Sequence, residues 1–343
     1  MIKIERRTCV ALMASALLST GLLSLAAPPA QAAGYYEGKV VTLIVPNTPA
    51  GAMSQYARMI APFIAKYTGA KEVRVDNQPG AGGLRGTNLL WRAKPDGMTI
   101  AFTSVSSLLL AQLADSPGAQ FDAGKFTYLG RAVTEPRILM VGANSSIKSI
   151  DDVKKLDRPF VFPTQGTDED FYAMSVLFSA LNVPLKIITG YDGDADTSLA
   201  VIKGDGDGHM ASYSSALPAV SAGEKRVILT MSDKPSAELP AVPAALQVVT
   251  DEKLAEPLRA VIEIQTAHRG FFGPPGMDPA ATEAMRKAIM EALADPELIA
   301  DAKKRQFTLS PSDGATEQAR VERIMASSAS LKPILKAALS SIK

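Results

Sequence analysis

The chain of 343 residues holds one cysteine, Cys9, and two histidines, His209 and His268. Cys9 lies inside an apolar N-terminal stretch, so loss of that stretch leaves no thiol. That excludes disulfides, a cysteine nucleophile and a thiolate metal site. Two histidines are too few for most metal or acid–base constellations, and His268, standing before the apolar run RGFFGPP, reads as structural. A surplus of one charge is missing too. Lys and Arg total 36 against 35 Asp and Glu, a formal net charge of +1. Without basic excess, nucleic acid is not expected as a partner. Beyond the N-terminus no run is long and apolar enough to span a bilayer. Nucleotide and hydrolase motifs are also absent. GAGGLRG places glycine at 80 and 82 but Arg85 where the dinucleotide fingerprint needs its third glycine, so it reads as a tight packing turn. No GxxxxGK[ST] or GxSxG occurs.

What is present is ordinary globular composition, 47% hydrophobic and 21% charged, with length for two domains. The N-terminus is a separate object. MIKIERR is basic apart from Glu5, CVALMASALLSTGLLSLAA is apolar, and AQA at 30–32 fits a small-x-small cleavage site. Residues 1–32 are therefore expected to be a signal peptide cleaved after Ala32, rather than an anchor. Arg6-Arg7 alone does not establish a twin-arginine signal. A chain exported without disulfides needs a large core to hold it.

Apolar runs then alternate with helical patterns. VVTLIVP (40–46) reads as a buried parallel strand and 53–67 as a helix burying Ala57, Ile60, Ala61 and Ile64, with Pro62 expected to kink it. EVRVDN (72–77) is a second strand, GAGGLRGTNLLWRAK a glycine-rich turn into a second helix, and KPDGMTIAFTS a turn and third strand. This order predicts an open α/β sheet. RILMVGA is another strand, and 158–182, 186–204 and 226–232 repeat the opening theme. Residues 268–305 read as a strand, a Gly-Pro turn and two helices with Asp278 as N-cap before Pro279, and a last helix is placed in 313–340. Two α/β lobes follow: 33–140 with 265–343, and 141–264. Ligands of such sheets bind beyond the carboxyl ends of the strands.

Acidic clusters stand at Asp168-Glu169-Asp170, at Asp192, Asp194 and Asp196, and at Asp205 and Asp207. The 192–196 run lacks the glycine and distal glutamate of a calcium loop, so helix capping and solvation are the expected roles. No set of residues assembles nucleophile, base and orienter, and no metal or cofactor is expected. A binding cleft needs only backbone N–H groups, hydroxyls and small residues, which the loops 46–54, 103–107 and 163–168 supply.

These residues resemble the periplasmic solute-binding proteins of tripartite tricarboxylate transporters, the Bug family. The likeness covers nearly the whole mature chain. VTLIVPNTPAGA is similar to the family's strand and Pro-x-x-Pro-Gly-Gly-Gly loop, and VDNQPGAGGLRGTNLLWRAKPDGMTI to its Asn-x-Pro-Gly-Ala-Gly-Gly and Pro-Asp-Gly-Tyr-Thr pattern. YDG at 191–193, SAELPAVPAA and RGFFGPPGMDPAATEAMRKAIMEALADPEL resemble further family segments. The resemblance implies a type II periplasmic-binding fold, two lobes closing on a small solute, usually a carboxylate gripped by one loop from each lobe. Carried over by position, the first loop is Thr48, Pro49, Ala50, Gly51, Ala52, Met53 and Ser54. The second is Thr164, Gln165, Gly166 and Thr167. Ser104 to Ser107, including Ser106, with Tyr191 and Ser212, would complete the lining.

Three departures bear on the ligand. The family's Gly-Gly-Gly-Thr-Asp is Ala50-Gly51-Ala52-Met53-Ser54, which removes the counter-charge an amino acid's ammonium would need. An Asp-Asn pair is replaced by Ala211-Ser212. Asp168, Glu169 and Asp170 stand where Gly-Ser is usual and, if they face the cleft, would repel a second carboxylate, by roughly 4 kcal/mol at 4 Å and an effective dielectric of 20. The expectation is a monomeric, non-enzymatic periplasmic protein. It would bind one carboxylate on an apolar or aromatic body, with Met53 beside the carboxylate, and serve a permease of large and small membrane subunits. The alternatives are delivery to a membrane sensor, or an exported hydrolase or lyase on the same fold.

Overall fold

The computed structural model describes residues 34–341. The expected signal peptide, with Cys9, lies outside the described residues.

Strand β1 (Val40–Val45) shows how the first sheet is buried on both faces. Val41, Leu43 and Val45 pack into one core with Ala57, Ile60 and Ile64, while Ile44 joins the core on the other side. Period-2 alternation sends neighbours to opposite faces, so a strand covered on both sides is apolar almost throughout, here with Thr42 the one polar residue. Helix α1 (Ala52–Thr68) continues through Pro62 and stops at Gly69, which adopts the left-handed conformation (φ 70°) that suits glycine at a helix end. A mid-helix proline costs ~3 kcal/mol. The buried Met59, Ile60, Ala61 and Ile64 around it offset that.

With β2 (Glu72–Asn77), α2 (Leu84–Trp91), β3 (Thr99–Ser104), α3 (Val105–Leu113) and β4 (Thr127–Val133), the chain builds most of a six-stranded sheet. β2, β1 and β3 are parallel. A later strand, β10 (Arg269–Gly273), enters antiparallel between β3 and β4, and the short β11 (Ser312–Asp313) edges β4. Residues 105–107, expected to lie in a loop after the third strand, instead open α3.

Between β4 and β5 (Arg137–Gly142) the chain leaves this sheet. β5 lies between β8 (Gly208–Ser212) and β9 (Lys225–Met231), antiparallel to both. β6 (Phe160–Pro163) and β7 (Leu185–Ile188) form a separate parallel pair. The opening theme is thus repeated only in part. Val161 N–H donates to the Asp207 carboxylate (2.8 Å) and Asp207 N–H to Val161 C=O (2.8 Å), a side-chain link in place of a continuous ladder. Helices α4 (Ile150–Lys154), α5 (Glu169–Leu181), α6 (Asp194–Lys203), α7 (Tyr213–Ser221), α8 (Ala245–Val248) and α9 (Glu252–Gln265) cover these strands. α10 (Pro279–Leu293), α11 (Pro296–Lys304), α12 (Gly314–Ser327) and α13 (Lys332–Ser341) complete the chain, with Asp278 capping α10 through Ala281 N–H at 3.0 Å. The fold is the two-lobed α/β arrangement of type II periplasmic-binding proteins.

Candidate functional site

Five strands run on into helices, and residues from their junctions gather at one edge. β1 leads through 46–51 into α1, β3 directly into α3, β6 into α5, β7 into α6 and β8 into α7. Each helix N-terminus carries roughly half a positive charge and unpaired N–H groups. Strands β10 and β5 then deliver their first residues to this edge. Register sets Arg269 of β10 opposite Ser104, and Arg137 of β5 opposite Ser212. An inner cavity of about 110 Å³ forms there, lined by Asn47, Met53, Ser107 and Ser215, by His268 and by both arginines. An outer cavity of about 600 Å³ adjoins it and shares Asn47, Thr48, Ser104 and Gln165.

The arginines are held by acids. Arg269 is 2% exposed. It donates to Glu135 Oε1 (2.7 Å), Ser212 Oγ (2.7 Å) and Ser215 Oγ (3.0 Å), and lies over the Tyr56 ring at 4.3 Å. Arg137 donates to Asp170 Oδ1. In both guanidinium groups the Nε–H is buried without a partner. Behind the cavity, Lys225 Nζ meets His209 Nδ1 at 2.9 Å, and His209 Nε2 meets Asp194 Oδ1 at 3.0 Å. Burial pushes His209 below its ordinary value, against the pull of Asp194. Lys225 as an ammonium can only donate, which places the ring proton on Nε2, facing Asp194. Burial opposes ionisation of Asp194, but its pairing with His209 and the charges of Arg137 and Lys225 prevail and hold its carboxyl below the ordinary range.

The acids at the head of α5 all line the inner cavity. Asp168 caps the helix, accepting from Phe171 N–H at 2.9 Å and Thr164 Oγ1 at 3.1 Å, and burial pushes its carboxyl up to about 6. Burial raises Asp170 as well, against the pull of Arg137. Glu169 Oε2 accepts from Ser104 Oγ at 2.5 Å, while Oε1 has no partner. His268, buried among Arg269, Arg137 and Arg131, is driven well below its ordinary value by burial and those charges.

The residues expected from sequence divide into three groups. Thr48, Gly51, Ala52, Met53, Ser104, Gln165 and Ser212 line the inner cavity, and Tyr191 lines the outer one. Ser54, Ser106 and Thr164 are buried braces: Ser54 Oγ donates to Thr48 C=O (2.8 Å), and Ser106 meets Ser104 Oγ (2.8 Å). Ala50 is exposed, and with Gly166 and Thr167 it lines neither cavity. Gly166 and Thr167 face the glycine turn at 80–83. A Cβ added at Gly82 would meet the Thr167 and Asp168 backbone at 3.1 Å. Ser107, the last residue of the expected Ser104–Ser107 stretch, and Asn47, in the expected 46–54 loop, line both cavities. Sequence reasoning missed Arg137, Arg269 and Ser215. The available signal was an arginine heading each of two apolar strands, RILMVG and RGFFG.

Known proteins agree with this architecture. Residues 56–338 match the family model described as the tripartite tricarboxylate transporter family receptor. A protein encoded in the tcbD-tcbE intergenic region of Pseudomonas sp. strain P51 is 26% identical over 294 residues, spanning 84% of this chain and 83% of that protein. The structure of the periplasmic binding protein BugD superposes with a TM-score of 0.72 at 20% identity, covering 88% of this chain and 98% of BugD. MatC of Rhodopseudomonas palustris, solved with bound malate, gives 0.71 at 18% identity over 87% of this chain and 99% of its own. The chain belongs to the tripartite tricarboxylate transporter receptor family, the Bug-type solute-binding proteins.

Proposed function

We propose that this protein is exported, matures at Ala33, and captures a small organic acid in the periplasm for delivery, unchanged, to a permease with a large and a small membrane subunit. The observation that carries the acid is the pair of arginines, Arg137 and Arg269, each with a buried and unpartnered Nε–H, on the wall of a cavity on which the N-terminus of α1 opens with no side-chain cap. A buried carboxylate must be met by hydrogen bonds, and charge-assisted donors are the strongest available. MatC, on the same fold, holds malate.

The lobes would be 33–140 with 265–343, and 141–264, closing by a hinge motion. Met53 lends the inner cavity a polarizable apolar wall, which suits an apolar body on the acid. The outer cavity supplies the space for that body beside Tyr191.

Thermal denaturation against mono-, di- and tricarboxylates, aromatic acids, amino acids and neutral amides tests the reading. A ligand at a hundred times its Kd adds about 2.7 kcal/mol of stability. One acid should raise the melting temperature and be recovered unchanged. Stabilisation by neutral amides alone would refute an acid ligand, and tighter binding of citrate than of benzoate-like acids would remove the apolar body.

A further inference from the structure

The inner site has more acid than its cations can balance. Arg269 is engaged by Glu135, Arg137 by Asp170, and Lys225 reaches Asp194 through His209. Asp168 and Glu169 have no cation bonded to them. Asp168 is accounted for as the cap of α5. Glu169 is not. It is 3% exposed on the wall of the inner cavity, Ser104 Oγ fixes one carboxylate oxygen, and Oε1 is buried with no hydrogen bond. Asn47 Oδ1, on a residue of the same wall, is a second buried acceptor without a partner. A buried acceptor left unmade is costly, and such groups in a binding cavity specify a donor on the ligand.

We propose that the ligand presents a positively charged nitrogen to the Glu169 carboxylate, so that the captured acid is a zwitterion bearing an ammonium group rather than a simple mono- or dianion. This rests on the organic-acid reading above and narrows its substrate class. An ammonium carries three N–H donors and no acceptor, the complement of Glu169 Oε1 and Asn47 Oδ1. The arginine Nε–H groups and the start of α1 are left for the carboxylate. Loss of the family's acid at position 54 therefore does not remove the counter-charge for an amine. It moves to the other loop, at the head of α5. The acids at 168–170, which repel a second carboxylate, attract an ammonium by the same field.

The test is calorimetric titration of the purified protein with acids matched in carbon skeleton and differing by one amino group: butanoate against 4-aminobutanoate, glutarate against glutamate, 3-phenylpropanoate against phenylalanine. The amino member of at least one pair should bind about tenfold or more tightly than its partner. Glu169→Gln should shrink that gap to under about threefold. The comparison on the unaltered protein stands even where the variant fails to fold. Unsubstituted acids binding as tightly as their amino partners, a gap untouched by Glu169→Gln, or no binding of any amino acid at millimolar concentration would each overturn the proposal. Butylamine separates the two readings. If it binds as well as 4-aminobutanoate, the cation site stands and the organic-acid reading falls. If butanoate binds as well as 4-aminobutanoate, the reverse holds.

Discussion

Arg269 on β10 donates to Glu135 Oε1 at 2.7 Å, and each side chain is only 3% exposed. Glu135 belongs to residues 134–136, the segment that carries the chain out of the six-stranded sheet. The same carboxylate accepts Ser214 N–H (2.7 Å) and Ser214 Oγ (2.8 Å) at the head of α7. One buried ion pair thus ties the first sheet, the crossing segment and a helix of the second half into the floor of the cavity.

Breaking this pair should be expensive on one side only. Removal of one partner of a buried ion pair leaves an uncompensated charge and costs about 3–5 kcal/mol. Glu135→Ala should lose stability of that order in urea denaturation. The double variant Glu135→Leu with Arg269→Met should be less destabilised than Glu135→Ala, because both charges are gone. A single variant losing under about 1 kcal/mol would show that water reaches the pair.

The histidines should not behave as pH switches. Burial holds both rings below the ordinary value, and His268 faces Arg269, Arg137 and Arg131 as well. Nitrogen-15 spectra should show His209 neutral at pH 7.5, with the proton on Nε2 and Nδ1 bare. A His209 ring that takes up a proton at or above pH 7 would refute the Lys225–His209–Asp194 order.

Much of the frame was legible in sequence, and the site only in part. β1, α1 and β2 lie within a residue of their expected limits, because their apolar periods are clean and Gly69 marks the stop. α3 was hidden: Leu108, Leu109 and Leu110 are all buried, so the helix has no polar face to reveal a 3.6-residue period. β4 was hidden by Gly130 and Arg131 in its middle. The loop of small residues at 48–53 announced a cavity wall by composition alone. The arginines could not, since what brings Arg269 and Arg137 there is the antiparallel entry of β10 and β5, a fact of strand order. Whether the acids at 168–170 face the cleft is open in the sequence, and the structure sets all three on the wall of the inner cavity. Their individual partners, on which the charge balance turns, belong to tertiary structure.

Gly82 should resist substitution. Its φ is +63°, and an added Cβ would stand 3.1 Å from the Thr167 and Asp168 backbone. A left-handed conformation alone costs a side chain about 1–2 kcal/mol. Gly82→Ala should therefore lower stability by at least that much and hold the 80–83 turn away from the head of α5. Calorimetric melting of the variant checks it, and an unchanged melting temperature would mean that the turn relaxes freely.

Asp168 should make the protein less stable as pH rises through the range from about 4 to about 6. Burial lifts its carboxyl from 3.8 to about 6, so between those values the folded chain holds a proton that the unfolded chain has released. Protons bound preferentially by the folded state stabilise it, and that contribution is lost as the proton leaves. The full shift is about 3 kcal/mol, reduced here to roughly 1–2 because Asp168 is only half-buried. Asparagine caps a helix as well as aspartate does, so Asp168→Asn keeps the bond to Phe171 N–H while removing the charge. The variant should match the parent near pH 4 and exceed it by that 1–2 kcal/mol at pH 8. Subtracting the two stability profiles isolates Asp168 from Asp170, which titrates in both. Parallel profiles would mean that solvent reaches the carboxyl and leaves it ionised at its ordinary value. The acid at the head of α5 would then carry a full charge into the cavity at every pH where the protein works.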